Sequence, residues 1–309
     1  MLRSKSIFVP AALVGLAALL SSCSIKENMN DCSKQQVYVD LRAFDYSMDA
    51  FETPSISGDP STKAVDAASA VDQIAFKAFD SAGAEVYSAN QNSGDTGFGA
   101  LEFQLAPGSY TFVAVGNKLS ANAPSGAKVS ITSATSATLA EALPTDVFSL
   151  TKTVTIEPRK TFATAMTLPR VMSQFVLITK DKVPANVASI EMIANSNAPV
   201  NSGTASFDPS DGRLLADQRW TKIANTTSIA GKKTVVITFN MLLASAEQTT
   251  DIIVNAYDAD SKLITTLTLS NVPMKRNRVT SATGTLFNAS GSTPFTIEDT
   301  WLTAHEMEF

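Results

Sequence analysis

Few residues of this chain have the types and spacing that catalysis requires. The sequence contains a single histidine, His305, in a polar tail, although catalysis near neutral pH usually recruits that side chain. It has no Gly-x-Ser-x-Gly elbow for a serine nucleophile. Two cysteines and one histidine are too few for a zinc site of three or four such ligands. Glycine-rich loops that bind nucleotide phosphates are also missing. We therefore predict that the protein is not an enzyme and carries no cofactor.

Paired aspartates are the strongest candidates for a metal site. Three pairs stand in predicted turns: Asp45 with Asp49, Asp208 with Asp211, and Asp258 with Asp260. Calcium prefers clustered oxygens, and Asp258-Ala259-Asp260 resembles the start of a calcium loop. The glycine and glutamate that would complete such a loop are missing, and aspartate favours turns because its side chain accepts hydrogen bonds from nearby backbone. We therefore predict turns rather than metal sites at these positions.

Residues 20–23 are a leucine, two serines and a cysteine, Cys23. An apolar run over residues 7–20 precedes the cysteine, and two cations, Arg3 and Lys5, precede the run. The run is too short to span a bilayer, which needs about 20 residues. Its length and flanks are typical of a signal peptide.

Leucine, two small residues and cysteine resemble the lipobox of bacterial lipoproteins, whose cysteine is acylated and becomes the first mature residue. We predict a signal peptide over residues 1–22, cleavage between Ser22 and Cys23, and acylation, palmitate included, of Cys23. Several acyl chains would anchor the protein stably, because each buried methylene contributes ~0.8 kcal/mol. Residues 23–35 are polar and of mixed charge, which predicts a tether. Cys32 then has no intrachain partner, and it is either a buried small residue or an exposed thiol.

The charge of the chain argues against nucleic acid as a partner. The formal net charge is −5, with 24 Lys and Arg against 29 Asp and Glu. Loss of Arg3 and Lys5 with the signal peptide leaves 22 cations and a net charge of −7. Affinity for nucleic acid comes mainly from Lys and Arg that neutralise phosphates. Membrane contact is accordingly expected through lipid rather than through a basic surface.

Most of the chain after residue 35 has the pattern of β-strands. Residues 36–44 alternate apolar and polar side chains, which indicates a half-buried strand. Many short strands separated by turns follow, and long segments of helical period are almost missing, which favours β-sandwiches. Residues 136–143 can form a short helix before Pro144. We place a boundary at 168–170 and predict two β-sandwich domains, residues 36–167 and 168–309.

Several stretches together resemble the fimbrillin family, the lipoprotein fimbrial subunits of Bacteroidetes. They are the lipobox, Ile-Ala-Phe-Lys-Ala-Phe-Asp at 74–80, Leu-Ala-Pro-Gly-Ser-Tyr-Thr-Phe at 105–112, and Asn-Val-Pro-Met-Lys-Arg-Asn-Arg-Val-Thr at 271–280 with Gly-Thr-Leu-Phe at 284–287. The segment at 271–280, with its trailing glycine at 284, is the most specific of these stretches. The resemblance implies an all-β protein with two tandem transthyretin-like β-sandwich domains and no enzymatic activity. It also implies export as an outer-membrane lipoprotein and a role in adhesion.

The resemblance implies that subunits join by donor-strand exchange with other fimbrial subunits. In polymerising members a protease specific for Arg or Lys removes the N-terminal segment and opens a groove for a neighbour's strand. Lys63, in a loop rich in small polar residues, stands where such cleavage is expected, and residues 36–44 would leave with the cut. The loop can equally stay intact. Residues 295–302 are either a donor strand or the last strand of the second domain.

Two functions follow. The first is a lipid-anchored fimbrial subunit or fimbria-associated adhesin of the outer membrane, with a host or bacterial surface receptor. The alternative is a surface glycan-binding lipoprotein, which should expose aromatic side chains on one sandwich face.

Overall fold

A computed structural model describes residues 33–45, 70–119, 128–139, 145–200, 204–225, 230–287 and 295–298. The elements with defined bounds in these ranges are β-strands arranged in five sheets. The predicted all-β class is therefore confirmed. Across the described residues, no helix is both long enough and apolar enough to cross a membrane.

Two of the sheets form the first sandwich. Sheet A has the order β4 (Ala100–Leu105), β1 (Gln35–Asp45), β9 (Phe162–Pro169), and sheet B has the order β3 (Glu85–Asn92), β2 (Gln73–Asp80), β5 (Gly108–Lys118), β8 (Asp146–Ile156). Phe103 of sheet A packs against Phe76 and Phe112 of sheet B, with ring centroids 5.7 Å and 6.0 Å away. Alternation of apolar and polar residues along β1 and β4 places one side of each strand in this core.

The second sandwich also consists of two sheets, here with four strands each. Sheet D has the order β15 (Val235–Met241), β10 (Ser173–Thr179), β18 (Val279–Gly284), β19 (Thr296–Glu298), and sheet E has the order β14 (Trp220–Asn225), β11 (Ser189–Ala194), β16 (Glu247–Tyr257), β17 (Leu263–Lys275). Phe175 and Phe239 of sheet D belong to one buried cluster with Ile190 and Val254 of sheet E.

A fifth sheet joins strands from both sides of residue 168. Sheet C has the order β13 (Arg213–Leu214), β12 (Ala205–Asp208), β7 (Ser136–Leu139), β6 (Val129–Ser133). Its Ala137 and Phe207 lie in the same buried cluster as Ala75 and Val113 of sheet B. Sheet B is therefore covered on both faces, and the second core continues through sheet C to the first sandwich. The predicted domain boundary, at the end of β9, stays a prediction.

The expectation of a helix over residues 136–143 is wrong for its described part. Ser136–Leu139 form β7, which pairs with β6 on one side and β12 on the other. The hydrogen bonds of a strand in the middle of a sheet outweigh the helical preference of a short alanine-rich segment.

Candidate functional site

Strand β1 occupies the middle of sheet A. It pairs antiparallel with β4 from Gln35↔Leu105 to Asp40↔Ala100, and parallel with β9 from Val37↔Phe162 onward. Parallel neighbours need a long crossover in a single chain, and here more than one hundred residues separate the two strands. The most N-terminal described strand thus fills a place between two strands that come much later in the sequence.

The inner side of β1 is an integral part of the first core. Val37, Val39 and Leu41 are at most 2 % exposed, and Phe44 meets Phe148 of sheet B edge-on, with centroids 5.2 Å apart. Without β1, the facing edges of β4 and β9 would lose their hydrogen-bond partners and this core would open to solvent. Removal of β1 would therefore create the two features that strand addition requires, namely unpaired edges and apolar pockets for alternate side chains.

The loop before β4 fixes the point at which β1 bends. The Leu41 amide donates to the Gly99 carbonyl at 2.7 Å, and the register of β1 with β9 shifts between Asp40 and Ala43. Gly99 has a φ of +81°, and a Cβ there would lie 2.7 Å from Cγ of Arg42. Glycine is thus required where this loop closes over β1.

The outer side of β1 carries polar side chains that are hydrogen-bonded across the sheet. Glu102 Oε1 accepts from Gln36 Nε2 at 2.9 Å and from the Tyr38 hydroxyl at 3.4 Å. Arg42 donates to both carboxylate oxygens of Asp40, from Nε at 2.9 Å and from Nη2 at 2.6 Å. These hydrogen bonds hold the pKa of Asp40 below its ordinary value. Tyr38 is 42 % exposed, and it is the most exposed aromatic residue in the part of the chain that the structure describes.

Beside Tyr38 the outer face of sheet A has an open depression. This depression has a volume of about 400 Å³. Three alanines belong to its lining, Ala100 on β4 and Ala163 with Ala165 on β9, and Tyr38, Asp40 and Arg42 of β1 line it as well.

A buried ion pair lies where β9 leads into β10. Arg170 donates from Nε to the two oxygens of Asp146 at 3.0 Å and 2.8 Å, and its guanidinium lies 5.5 Å from the centroid of the Phe148 ring. Its side chain is 1 % exposed. Burial raises the pKa of Asp146 to about 6, and the nearby Arg170 guanidinium opposes that rise. The Arg170 amide also donates to the Asp45 carbonyl at the end of β1, at 3.4 Å. The pair therefore fixes the junction to which β1 leads.

The C-terminal segment is seated on sheet D. Residues 296–298 form β19, which pairs antiparallel with β18 of the same chain. The Phe295 ring lies on Gly284, where a Cβ would be 2.7 Å from the ring. Asp181 accepts from the backbone amides of Leu286, at 3.0 Å, and of Phe287. Among the described residues this segment is thus the last strand of the second sandwich, and its use as a donor stays a prediction.

The most specific segment of the sequence motif forms the end of β17, the start of β18 and the turn that leads from sheet E to sheet D. Asn277 has a φ of +55°, a conformation that asparagine tolerates better than most residues. Its amide donates to the Met172 carbonyl at 2.6 Å, and the Thr280 hydroxyl donates to the Pro273 carbonyl, also at 2.6 Å. The motif is therefore architectural, since it fixes this turn to the segment between the sandwiches.

Several predicted positions lie outside the described residues, namely Ser22, Cys23, Cys32, Lys63 and His305. Asp208, Asp211 and Asp258 of the candidate metal pairs accept hydrogen bonds within turns. The turn predicted at Asp45 is wrong, because Asp45 is the last residue of β1. Asp258 Oδ1 accepts from the amides of Asp260 and Lys262, and Asp208 Oδ1 accepts from the amide and hydroxyl of Ser210. No group of three or more potential metal ligands occurs among the described residues.

Sequence reasoning did not find the Asp146–Arg170 pair, the Asp181 contacts or the depression beside Tyr38. A charged residue at the start of an apolar strand, as at Asp146, was one available signal. Its partner is 24 positions away, and no local pattern identifies it.

A family model described as a family of unknown function, DUF6562, matches residues 127–306. The match begins just before β6 and excludes β1 to β5. Comparison with curated proteins finds no match.

Solved structures share the fold at low sequence identity. A candidate adhesin from Bacteroides thetaiotaomicron is 12 % identical, with a TM-score of 0.51 over 87 % of this chain and 97 % of the other. A candidate polysaccharide-binding protein of the same organism (DUF1812) is also 12 % identical, with a TM-score of 0.51 over 86 % and 96 %. The fimbrial anchor protein Mfa2 from Porphyromonas gingivalis is 13 % identical, with a TM-score of 0.49 over 86 % and 95 %. The expected fold of tandem β-sandwiches is confirmed, and the candidate adhesin from Bacteroides thetaiotaomicron shares it.

Proposed function

The chain belongs to the DUF6562 family, and we propose that it is a fimbrial subunit or fimbria-associated adhesin of the bacterial cell surface. Its role is attachment, and its partners are other subunits of the same kind. The proposal rests chiefly on the place of β1, a central strand of sheet A that the chain supplies from its N-terminal end.

Exchange of β1 is the proposed mode of assembly. Removal of one strand between β4 and β9 leaves a gap of about 10 Å, because neighbouring strands lie ~4.8 Å apart. A strand from another subunit that enters this gap restores the backbone hydrogen bonds of both edges. It must also place apolar side chains where Val37, Val39 and Leu41 are buried. Those three positions set the sequence requirement for a donor, which is alternate residues of similar volume.

Export as a lipoprotein brings the subunit to the outer membrane. Cleavage after Ser22 exposes Cys23 for acylation, and the lipid holds the chain while residues 23–35 act as a tether. The state of the Lys63 loop then decides the role. If the loop is cut, Cys23 leaves with β1 and the subunit polymerises. If the loop is intact, Cys23 remains the anchor.

Mass spectrometry of the native protein from the cell surface tests these steps. We expect an N-terminus at acylated Cys23 or at Ala64. The substitution Lys63→Gln should abolish the second species. Lys34→Gln is the matched control, because a cut at Lys34 would leave β1 attached to the rest of the chain. A soluble monomer with no lipid on Cys23, and no trace of the protein in sheared filaments, would exclude this function.

A surface glycan-binding lipoprotein is the second candidate function. The exposed Tyr38 beside the depression favours it, as does the fold shared with a candidate polysaccharide-binding protein. This function predicts retardation of the protein in native gels that contain polysaccharide.

A further inference from the structure

The depression on the outer face of sheet A is made by a change in side-chain size. Glu102, Tyr38 and Ala163 form one row across β4, β1 and β9, and Ala100, Asp40 and Ala165 form the next. Three of the six side chains are methyl groups on the two outer strands. Tyr38 and the Asp40–Arg42 pair on the central strand therefore stand above a low apolar floor.

We propose that this depression binds a neutral saccharide, which would make it the ligand site of the adhesin proposed above and rests on that proposal. Sugar rings present apolar C–H faces and a rim of hydroxyl groups. The Tyr38 ring and the alanine methyls suit the faces, and aromatic side chains with one apolar and one polar end are favoured at such surfaces. A volume of about 400 Å³ fits a ligand of one or two sugar rings, since small-molecule sites span roughly 300–1,000 Å³.

The polar side chains in the depression and beside it on the same face of sheet A are already held in place. Glu102 receives hydrogen bonds from Gln36 and Tyr38, and Gln104 donates to Gln36 at 3.3 Å. The Asp40–Arg42 pair is fixed by two hydrogen bonds. Donors and acceptors that are oriented before binding lose less conformational entropy when a hydroxyl group arrives.

The charges at the rim select against anionic ligands. Among the described residues that line the depression, Arg42 is the one cation, and Asp40 neutralises it through both carboxylate oxygens. Glu102 stands in the same row as Tyr38 and adds a further negative charge. A sulfated or sialylated glycan would meet net repulsion here, whereas a neutral sugar would not.

The site also depends on β1, which supplies Tyr38, Asp40 and Arg42. A chain that loses β1 loses these groups with it, unless the incoming strand carries equivalents. Ligand binding is therefore a property of the intact subunit, and exchange of β1 removes it.

A glycan array tests the proposal with the full-length chain purified in detergent. The probes are printed neutral, sialylated and sulfated oligosaccharides, followed by titration with the neutral glycan that gives the highest signal. We expect neutral glycans to bind, and we expect Tyr38→Ala and Ala165→Trp each to weaken binding by about tenfold or more. Ala165→Trp fills the depression. Thr167→Trp is its control, because this exposed residue lies two positions further along the same face of β9.

Binding that both substitutions leave unchanged, binding to anionic glycans alone, or no binding at all would overturn the proposal. The same variants are then scored for incorporation into surface filaments. Incorporation without glycan binding removes the saccharide site and leaves the assembly role. Glycan binding without incorporation removes the assembly role and leaves the saccharide site.

Discussion

At the scale of single residues, Asp146 and Arg170 form an ion pair inside the described fold. Both side chains are buried, in contrast to the exposed Asp40–Arg42 pair of the proposed ligand site. Burial of an ion pair costs desolvation energy, and the loss of one partner leaves the other charge uncompensated. Substitution of either residue therefore tests how much the pair stabilises the connection between β9 and β10.

The substitution Arg170→Met should reduce the free energy of unfolding by about 3–5 kcal/mol, because it leaves Asp146 buried without its partner. Urea unfolding at pH 7 measures this loss. Lys77→Met is the matched control, since Lys77 forms a surface ion pair with Glu85 at 2.6 Å. That pair should contribute no more than about 1 kcal/mol. Equal losses for the two variants would contradict the role of the buried pair.

Titration of Asp146 should make stability depend on pH. Its pKa rises from 3.8 to about 6 on folding, so the folded state binds more protons between these pH values. The contribution is present below pH 4 and is lost as the pH rises through 6, by about 3 kcal/mol. Asp146→Asn cannot titrate, so the stability difference between this variant and wild type should shift by that amount between pH 4 and 7. A constant difference would show that the carboxyl does not titrate in this range.

The same residues show the limits of sequence reasoning. Period-2 alternation predicted a strand over residues 36–44, and β1 spans Gln35–Asp45. The prediction succeeded because the buried positions of a strand alternate with exposed ones, and apolar and polar residue types alternate with them. Nothing local relates Asp146 to Arg170, or Tyr38 to the alanines of β9. Those relations depend on which strands become neighbours. β1 and β9 are neighbours in sheet A although more than one hundred residues separate them in the chain.

At the scale of elements, the seating of β19 explains one glycine of the sequence motif. Gly284 ends β18, and the Phe295 ring occupies the space above it. The Gly in the segment 284–287 is thus required by a contact with the segment that leads into the last described strand.

The substitution Gly284→Ala should displace Phe295 and weaken β19, because the added Cβ would lie 2.7 Å from the ring. We expect faster amide hydrogen exchange along β18, at Ser281 and Thr283, which pair with β19. Gly94→Ala is the control, since a Cβ at Gly94 meets nothing within 4 Å. Unchanged exchange in β18 would mean that Phe295 does not hold the strand.

The failed helix over residues 136–143 has a related cause. At residues 136–138 serine and threonine favour a helix less than the alanine between them, and the state of all three is decided by the two strands that pair with them. One of those partners, β12, comes more than sixty residues later. Segments of weak propensity are thus the ones that sequence alone misjudges.

At the scale of the whole molecule, sheet C joins the two sandwiches through a shared core. We therefore expect them to unfold together. Ala137→Asp places a charge in this core, at a side chain with no exposed surface, and should increase hydrogen exchange in both β5 and β10. Exchange that increases in one sandwich alone would show that the two are independent. Thr135→Asp, in the turn between β6 and β7, is the control and should change neither.

The fold as a whole was predictable in class because strand periodicity and turns recur along the chain. Sheet C was not predictable, because its two halves, β6 with β7 and β12 with β13, are more than sixty residues apart in the chain and no local pattern relates them. The resemblance to fimbrillins added what periodicity cannot supply, namely a reason for a strand from the N-terminal end to occupy the middle of sheet A.

The most direct test of assembly by exchange of β1 is a disulfide bond that holds β1 in its own sheet. Val39 and Leu101 face each other across β1 and β4, so Val39→Cys with Leu101→Cys, in a Cys32→Ser background, can tie β1 to its own sheet. Electron microscopy then counts labelled subunits in filaments sheared from the cells. We predict that the oxidised double variant is excluded from filaments, and that reductant or either single variant restores incorporation. Equal incorporation of the locked protein would contradict assembly by exchange of β1.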